Sequence, residues 1–377
     1  MDEPMQNTAV LEIRRINRRN IFRYIHQKGH TSRQEIALDL HLSMPTVLQN
    51  VKELLEQGFV EESGQYQSTG GRKATALSIV PQARLSAGID LTRNHMSFVL
   101  VDLAGTLLSH ERISCPFEDS EAYYRKLQQL LEDFLRKHKV DRQKLLGVGI
   151  SIPGILNPEG TVITDSHALN LQNFPCQKLS SFFPYPCQFV NDANAAGLAE
   201  LRLMKSDSTM VYLSLSNSVG GAFFLDGKLY PGTHQRSSEF GHMRLYPNGK
   251  PCYCGQKGCL DAYCSALTLT TPSQERLDTF FEKLKSQDSI AQMIWEDYLS
   301  HLALAVVNLR MCYDCTVILG GYVGAYLGPY LPKLQDMVSH LDPFEGDGSF
   351  LQCCQYQYEA SACGAAMQPI ELFLEQF

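Results

Sequence analysis

No stretch of this chain is apolar for long enough to cross a bilayer. Its start, MDEPMQNTAVLEIRRINRRN, lacks the apolar core of a secretory signal. Low-complexity segments are missing too. These absences predict a cytoplasmic protein with no membrane partner. Excess positive charge is also lacking: the formal net charge is −7, which excludes a protein that coats nucleic acid over its whole surface. The first 80 residues depart from that trend, with ten lysines and arginines against nine aspartates and glutamates. A near-neutral segment ahead of an acidic body suits local contact with DNA. The length of 377 residues suits two or three domains.

The opening segment reads as helices. Leu11, Ile13, Ile16, Ile21, Phe22 and Ile25 recur at helical spacing and predict a first helix ending near Gly29. Ser32 followed by Glu35 is a capping box for a second helix. Ser43 caps a third, with Val47, Val51, Leu54 and Leu55 on its apolar face. After Gly58, two strand-like runs flank a glycine-rich tip. Helix, helix, turn, helix and hairpin predict a winged helix-turn-helix over residues 1–80, with VPQAR as the linker. Thr46, Gln49 and Asn50 are expected on the outward face of the third helix, to meet base edges in a major groove. In the wing, Arg72 and Lys73 beside Gly70 and Gly71 are expected at phosphates or a narrow minor groove. Arg14, Arg15, Arg18 and Arg19 add phosphate-binding capacity on the first helix.

From residue 84 to 377 the pattern is α/β. SAGIDLTRNHMSFVLVDLAGTLLSHERIS alternates apolar and polar residues around an Ala-Gly turn, and STMVYLSLSNSVGGAFFLDGKLY does so around Asp226-Gly227. This echo predicts two similar lobes with a cleft between them and a boundary near residue 195.

His242, Cys252, Cys254 and Cys259 form the spacing His-x9-Cys-x-Cys-x4-Cys. A disulfide knot, a structural metal and part of a binding site are all open from spacing alone. The other cysteines, among them Cys312 and Cys315 of a CxxC, are expected as small packed side chains.

Taken together, NDANAAGLAE, SSEFGHM and CYCGQKGCLDAY, with the STGGRKAT wing, resemble the ROK family (repressors, open reading frames and kinases) over essentially the whole chain. The resemblance implies a two-lobed, actin-like (ribonuclease H-like) sugar-kinase fold behind the winged helix. It implies a sugar pocket of Asn170, Asn191, Asp192, Glu239, His242 and Asp261, with Asp192 matching the base that serves the family's kinases. Asp261 departs from the usual glutamate. The resemblance also implies structural zinc on His242, Cys252, Cys254 and Cys259, a donor set zinc favours.

Two functions compete within that family. Its kinases carry Asp-x-Gly-Gly-Thr on the first strand, where this chain has Asp90-Leu91-Thr92-Arg93-Asn94. Their second phosphate motif, Gly-Thr-Gly, aligns with Ser216-Asn217-Ser218. Both cradles are altered while the sugar residues are nearly whole. The expectation is a regulator that binds operator DNA and a small sugar, repressing carbohydrate-use genes as a homodimer or homotetramer without catalysis. The alternative is an ATP-dependent sugar kinase.

Overall fold

The structure is a computed structural model that describes residues 3–66, 74–204, 208–271, 275–344 and 346–377. Arg72 and Lys73 of the wing tip lie outside the described residues. Helices α1 (Glu3–Lys28), α2 (Arg33–Asp39) and α3 (Met44–Glu56) come first, followed by the hairpin strands Val60–Tyr66 and Ala74–Ile79. The caps act locally. The Ser32 hydroxyl accepts from the Glu35 N–H at 3.2 Å, and that of Ser43 from the Thr46 N–H at 3.3 Å, each satisfying an orphan donor. Ile21, Phe22, Ile25, Ile36, Val47, Val51 and Leu54 are fully buried. Ile13 and Ile16 are not: they stand 58% and 40% exposed, so among the described side chains the apolar stripe of α1 is buried from Ile21 onward.

Beyond a 3₁₀ turn at Pro81–Ala83 lie two five-stranded sheets of matching topology. In the first, Leu85–Leu91 pairs antiparallel with His95–Asp102, which pairs with Leu107–Ser114. On its other side Leu85–Leu91 runs parallel to Leu145–Ile152, and that strand to Cys187–Asn191. In the second, Met210–Leu215 pairs antiparallel with Val219–Leu225, which pairs with Lys228–Leu229, and parallel with Thr316–Gly320, which is followed by Leu351–Cys353. The echo in the sequence is thus an echo in space. At Asp226-Gly227 both residues have positive φ, 50° and 74°, matching a hairpin turn whose twist suits its strands.

Each sheet has its own core. Helix α4 (Glu121–Lys137) covers the first, burying Tyr124, Leu127, Leu131 and Phe134, while the long helix Ser289–Tyr313 covers the second with Trp295, Tyr298, Leu299 and Leu302. A further core joins the winged helix to the body: Phe22 and Phe59 cluster with Phe373 of the last helix, Ala360–Gln376, and with Phe377 that caps it. Arg84 lies over Phe59 and Phe373 at 4.8 and 5.8 Å, and His26 on α1 donates to the Leu103 carbonyl at 2.8 Å.

The other half of the last helix is small by necessity. Its Gly364 lies against the Ala195 carbonyl in the helix Asp192–Leu201, and Gly149 of the first sheet lies against the Ala365 carbonyl. A side chain at either glycine would drive the two elements apart.

Candidate functional site

The cleft floor is built by one strand end. Asn191 closes the strand Cys187–Asn191 and caps the helix that begins at Asp192: its Oδ1 accepts from the Asn194 N–H at 2.9 Å. Its Nδ2 donates to the Gly154 carbonyl at 3.0 Å, pinning the Pro153-Gly154 turn beside it. Asp192 accepts from the Ala193 N–H at 2.9 Å. Burial pushes its carboxyl up to about 7, and the nearby carboxylates of Asp90 and Glu239 add to the rise. Asp90 is raised to about 6 by burial, even though the Ser151 hydroxyl donates to it at 2.8 Å.

Facing that floor, Glu239 leads into a single 3₁₀ turn ending at His242. Burial raises the Glu239 carboxyl, while His242 and Arg236 hold it down in part. Between the lobes lies a cavity of about 140 Å³, with Asn157, Phe189, Asn191, Gly221, Gln235 and Glu239 among its walls. Asp261 is 6% exposed and accepts from the Val219 N–H at 2.6 Å, so one of its oxygens holds the hairpin beside the cleft. Asn170 stands exposed at φ 55° in the turn between the strands Val162–Ser166 and Leu171–Pro175. Of the six expected sugar residues Asn191 and Glu239 line the cavity, while Asn170, Asp192, His242 and Asp261 lie outside its wall.

His242, Cys252, Cys254 and Cys259 place one ligand atom each within 4.8 Å of one another. The Cys254 and Cys259 sulfurs are 3.8 Å apart, and the Cys252 sulfur is 3.9 Å from His242 Nδ1. A tetrahedral site with metal–sulfur bonds of about 2.3 Å needs edges of roughly 3.8 Å. The donor set therefore fits a metal ion. All twelve cysteines are free thiols; Cys312, expected to be packed, is exposed near the end of its helix, where Cys315 is buried.

Three residues near this cluster carry no functional signal in the sequence. Tyr253 sits between two of the cysteines, with its hydroxyl 3.3 Å from His242 Nε2. Its ring stacks on His167 of the opposite lobe, centroids 4.5 Å apart and planes 11° apart. Asp165, beside His167, adds to the rise at Glu239. Each was hidden because the partner lies on another lobe.

At the other end of the cleft the chain fills its own space. Thr92, Arg93, Asn94 and His95 form a tight turn, closed by the Thr92 N–H on the His95 carbonyl at 3.0 Å. Gly321, at φ 77°, faces the Ser216 hydroxyl, and its N–H donates to the Tyr212 hydroxyl at 3.2 Å. Arg112 of the first lobe lies over Tyr322 and Tyr358 at 5.4 and 4.9 Å. The glycine pair Gly320-Gly321 thus packs against the protein's own side chains.

On α3, Gln49 is exposed and Thr46 partly so. Asn50 corrects the sequence reading. It is 2% exposed, its Nδ2 donates to the Thr46 carbonyl at 2.8 Å, and it belongs to the buried stripe with Val47, Val51 and Leu54. The outward face carries Met44, Leu48, Gln49 and Lys52 instead. The arginines of α1 are also engaged. Arg14 and Arg18 pair with Glu53 on α3, while Arg15 and Arg19 donate to the carbonyls of Gln376 and Glu375 at 2.9 and 3.4 Å.

Residues 86–368 match the ROK family, and residues 14–61 match the winged helix-turn-helix DNA-binding family. The chain belongs to the ROK family. It is 28% identical over 284 residues to the xylose repressor of Bacillus spizizenii, covering 74% of this chain and 72% of that one. A crystal structure of a ROK family transcriptional regulator, a homologue of the E. coli MLC protein, superposes with a TM-score of 0.75 at 20% identity over 97% of each chain. The ROK hexokinase of Thermus thermophilus superposes with a TM-score of 0.62 at 26% identity, over 78% of this chain and all of that one. No helix among the described residues is long and apolar enough to cross a membrane.

Proposed function

We propose that this ROK protein is a sugar-responsive transcriptional regulator, a repressor of carbohydrate-use genes whose kinase-like body senses sugar without phosphorylating it. Its division of labour places operator binding in residues 1–80 and effector binding in residues 84–377. The observation that carries the reading is the contrast between the two ends of one cleft. Asp192, Glu239, His242 and Asp261 gather hydroxyl-binding groups at one end. At the other, Arg112 packs on Tyr322 and Tyr358 and Ser216 lies at Gly321, side chains that we take to occupy the room a nucleotide would need. Asp192 then serves as a hydroxyl acceptor with nothing to activate.

His242, Cys252, Cys254 and Cys259 would hold zinc, which orders the Gly- and Pro-rich loop 242–259 and fixes the His242 ring. The active form would be a cytoplasmic homodimer or homotetramer on two-fold related half-sites, with the sugar shifting the angle between lobes. D-Xylose is the first effector to try, since a relative is named a xylose repressor. A coupled assay with ATP, magnesium and the best-binding sugar should show no turnover above background, while the same sugar changes operator affinity. Saturable turnover that disappears in Asp192→Asn would establish a kinase and sink the proposal.

A further inference from the structure

Tyr253 has a position that neither the zinc cluster nor the sugar pocket explains. It is held on both sides by cysteines of the cluster, yet its side chain leaves that cluster for the cleft. There its hydroxyl meets His242 Nε2 at 3.3 Å, and its ring lies flat on His167, 11° from parallel. His167 is an exposed residue at the end of the strand Val162–Ser166, so the stacked pair joins the two lobes. The ring also meets His242 edge-on, at 5.3 Å and 65°. Tyr253 remains 47% exposed, and its ring contacts among the described residues are with these two histidines.

The chemistry of His242 gives this contact a meaning. Nδ1 faces the sulfur of Cys252 at 3.9 Å and is the nitrogen directed at the cluster. With Nδ1 on a metal, Nε2 carries the ring proton and can only donate. In the sugar-free protein the oxygen of Tyr253 accepts from it. A sugar hydroxyl reaching the same nitrogen needs the same proton, and one N–H makes one good hydrogen bond.

Resting on the sugar-sensing reading above, we infer that Tyr253 is an internal competitor for the sugar. Its hydroxyl fills the His242 donor position when the cleft is empty, and its stack on His167 holds the lobes together in that state. Sugar takes the donor, displaces the tyrosine and breaks the stack. Tyr253 thereby sets the sugar concentration at which the lobes are released, and it makes release a consequence of binding.

The test uses the full chain, with D-xylose, D-glucose and N-acetyl-D-glucosamine as probes. Tyr253→Phe removes the competing oxygen and keeps a ring for the stack. Calorimetry should show the best of these sugars binding about three- to ten-fold tighter, as expected for relief of one hydrogen bond. Metal content by mass spectrometry should be unchanged. His167→Ala removes the stack alone. In hydrogen exchange without sugar, that variant should expose the 167–170 turn and the 250–256 segment, and sugar should produce the same exposure in the natural protein. Weaker sugar binding by Tyr253→Phe, or sugar-induced protection of the 167–170 turn, would make Tyr253 a sugar ligand and overturn the inference alone. If no probe binds either protein, the sugar reading falls and this inference with it.

Discussion

The guanidinium of Arg15 donates to the main-chain carbonyl of Gln376 at 2.9 Å, joining the first helix to the last across almost the whole sequence. Arg19 makes the neighbouring contact to Glu375. These carbonyls close the last turn of a helix, where orphan acceptors and the negative end of the dipole favour a cation. The same helix is locked at Gly364 onto Ala195, three residues past Asp192 in the cleft floor. Its far half shares an aromatic core with Phe22 and Phe59. The cleft floor and the helices of the winged helix-turn-helix are therefore connected by one helix, with Pro369 inside it, that packs at both ends.

The double variant Arg15→Ala, Arg19→Ala tests that connection. It should leave sugar affinity within two-fold, because neither residue is near the cleft. It should cost about 1 kcal/mol in stability, the usual scale for cations at a helix end. The change in operator affinity on adding sugar should shrink several-fold. Fluorescence anisotropy of a labelled operator, titrated with and without sugar, reads this directly. A full sugar response in the double variant would mean that the coupling runs elsewhere.

Gln49 and Asn50 are adjacent in sequence and should behave differently. Gln49→Ala removes an exposed side chain on α3 and should cost about 1–3 kcal/mol of discrimination between operator and random DNA. Asn50→Ala removes a buried amide that donates to Thr46, so its effect should fall on thermal stability, with operator preference changed less than two-fold. Competition binding against random duplex, alongside melting curves, separates the two. Loss of preference in Asn50→Ala with an unchanged melting temperature would put that residue back at the bases.

What the sequence disclosed was whatever is decided locally. Ser32 and Ser43 announce helix starts because a cap needs only the next three residues. Both hairpin meanders and their turns were legible for the same reason. Asn50 was misplaced although the signal was present: Val47, Asn50, Val51 and Leu54 follow the i, i+3, i+4, i+7 spacing of one buried stripe. Its place in that stripe, not its polarity, decides its burial. The arginines of α1 could not be read at all, since a basic run looks the same whether it awaits phosphates or caps a helix some 360 residues away. Tyr253 and Arg112 were silent for a related reason. Each acts across the cleft, and no spacing along the chain records which residues the two lobes bring face to face.

Stability should depend on pH through the cleft floor. Burial and neighbouring acids raise Asp192 to about 7, and burial raises Asp90 to about 6, whereas an unfolded chain releases such protons near pH 4. The folded protein binds more protons than the unfolded one between those limits. Its stability is therefore greatest below pH 4 as far as these groups are concerned, and is lost as pH rises through 6 and 7. Asp192→Asn removes the larger part of that loss. The variant should be about 1–3 kcal/mol more stable than the natural protein at pH 7.5 and closely similar at pH 4.5. Sugar affinity should fall in the same variant, since an acceptor has become half donor. Urea denaturation at the two pH values is the measurement, and a variant equally destabilised at both would show Asp192 to be charged and well paired in the fold.

On the proposed function, breaking the metal cluster should be felt in the cleft, because the proposed zinc site and the proposed sugar pocket share His242. Cys254 is the exposed member of the set, and Cys254→Ser changes one ligand atom without touching the cavity wall. With the cluster broken, no metal fixes which His242 nitrogen carries the proton, and the loop bearing Tyr253 loses the order that the proposed metal would supply. Metal content and sugar affinity should fall together, the latter by about ten-fold, the lower end of what a lost supporting contact costs a metal site. The Phe22, Phe59, Phe373 and Phe377 cluster lies in a different core, so operator binding without sugar should persist within a few-fold. The response of operator binding to sugar should disappear. Metal analysis, calorimetry and operator titration on one preparation of the variant decide the matter. A folded, metal-free protein that still binds sugar at full strength would reduce the cluster to a remote staple and remove His242 from the pocket.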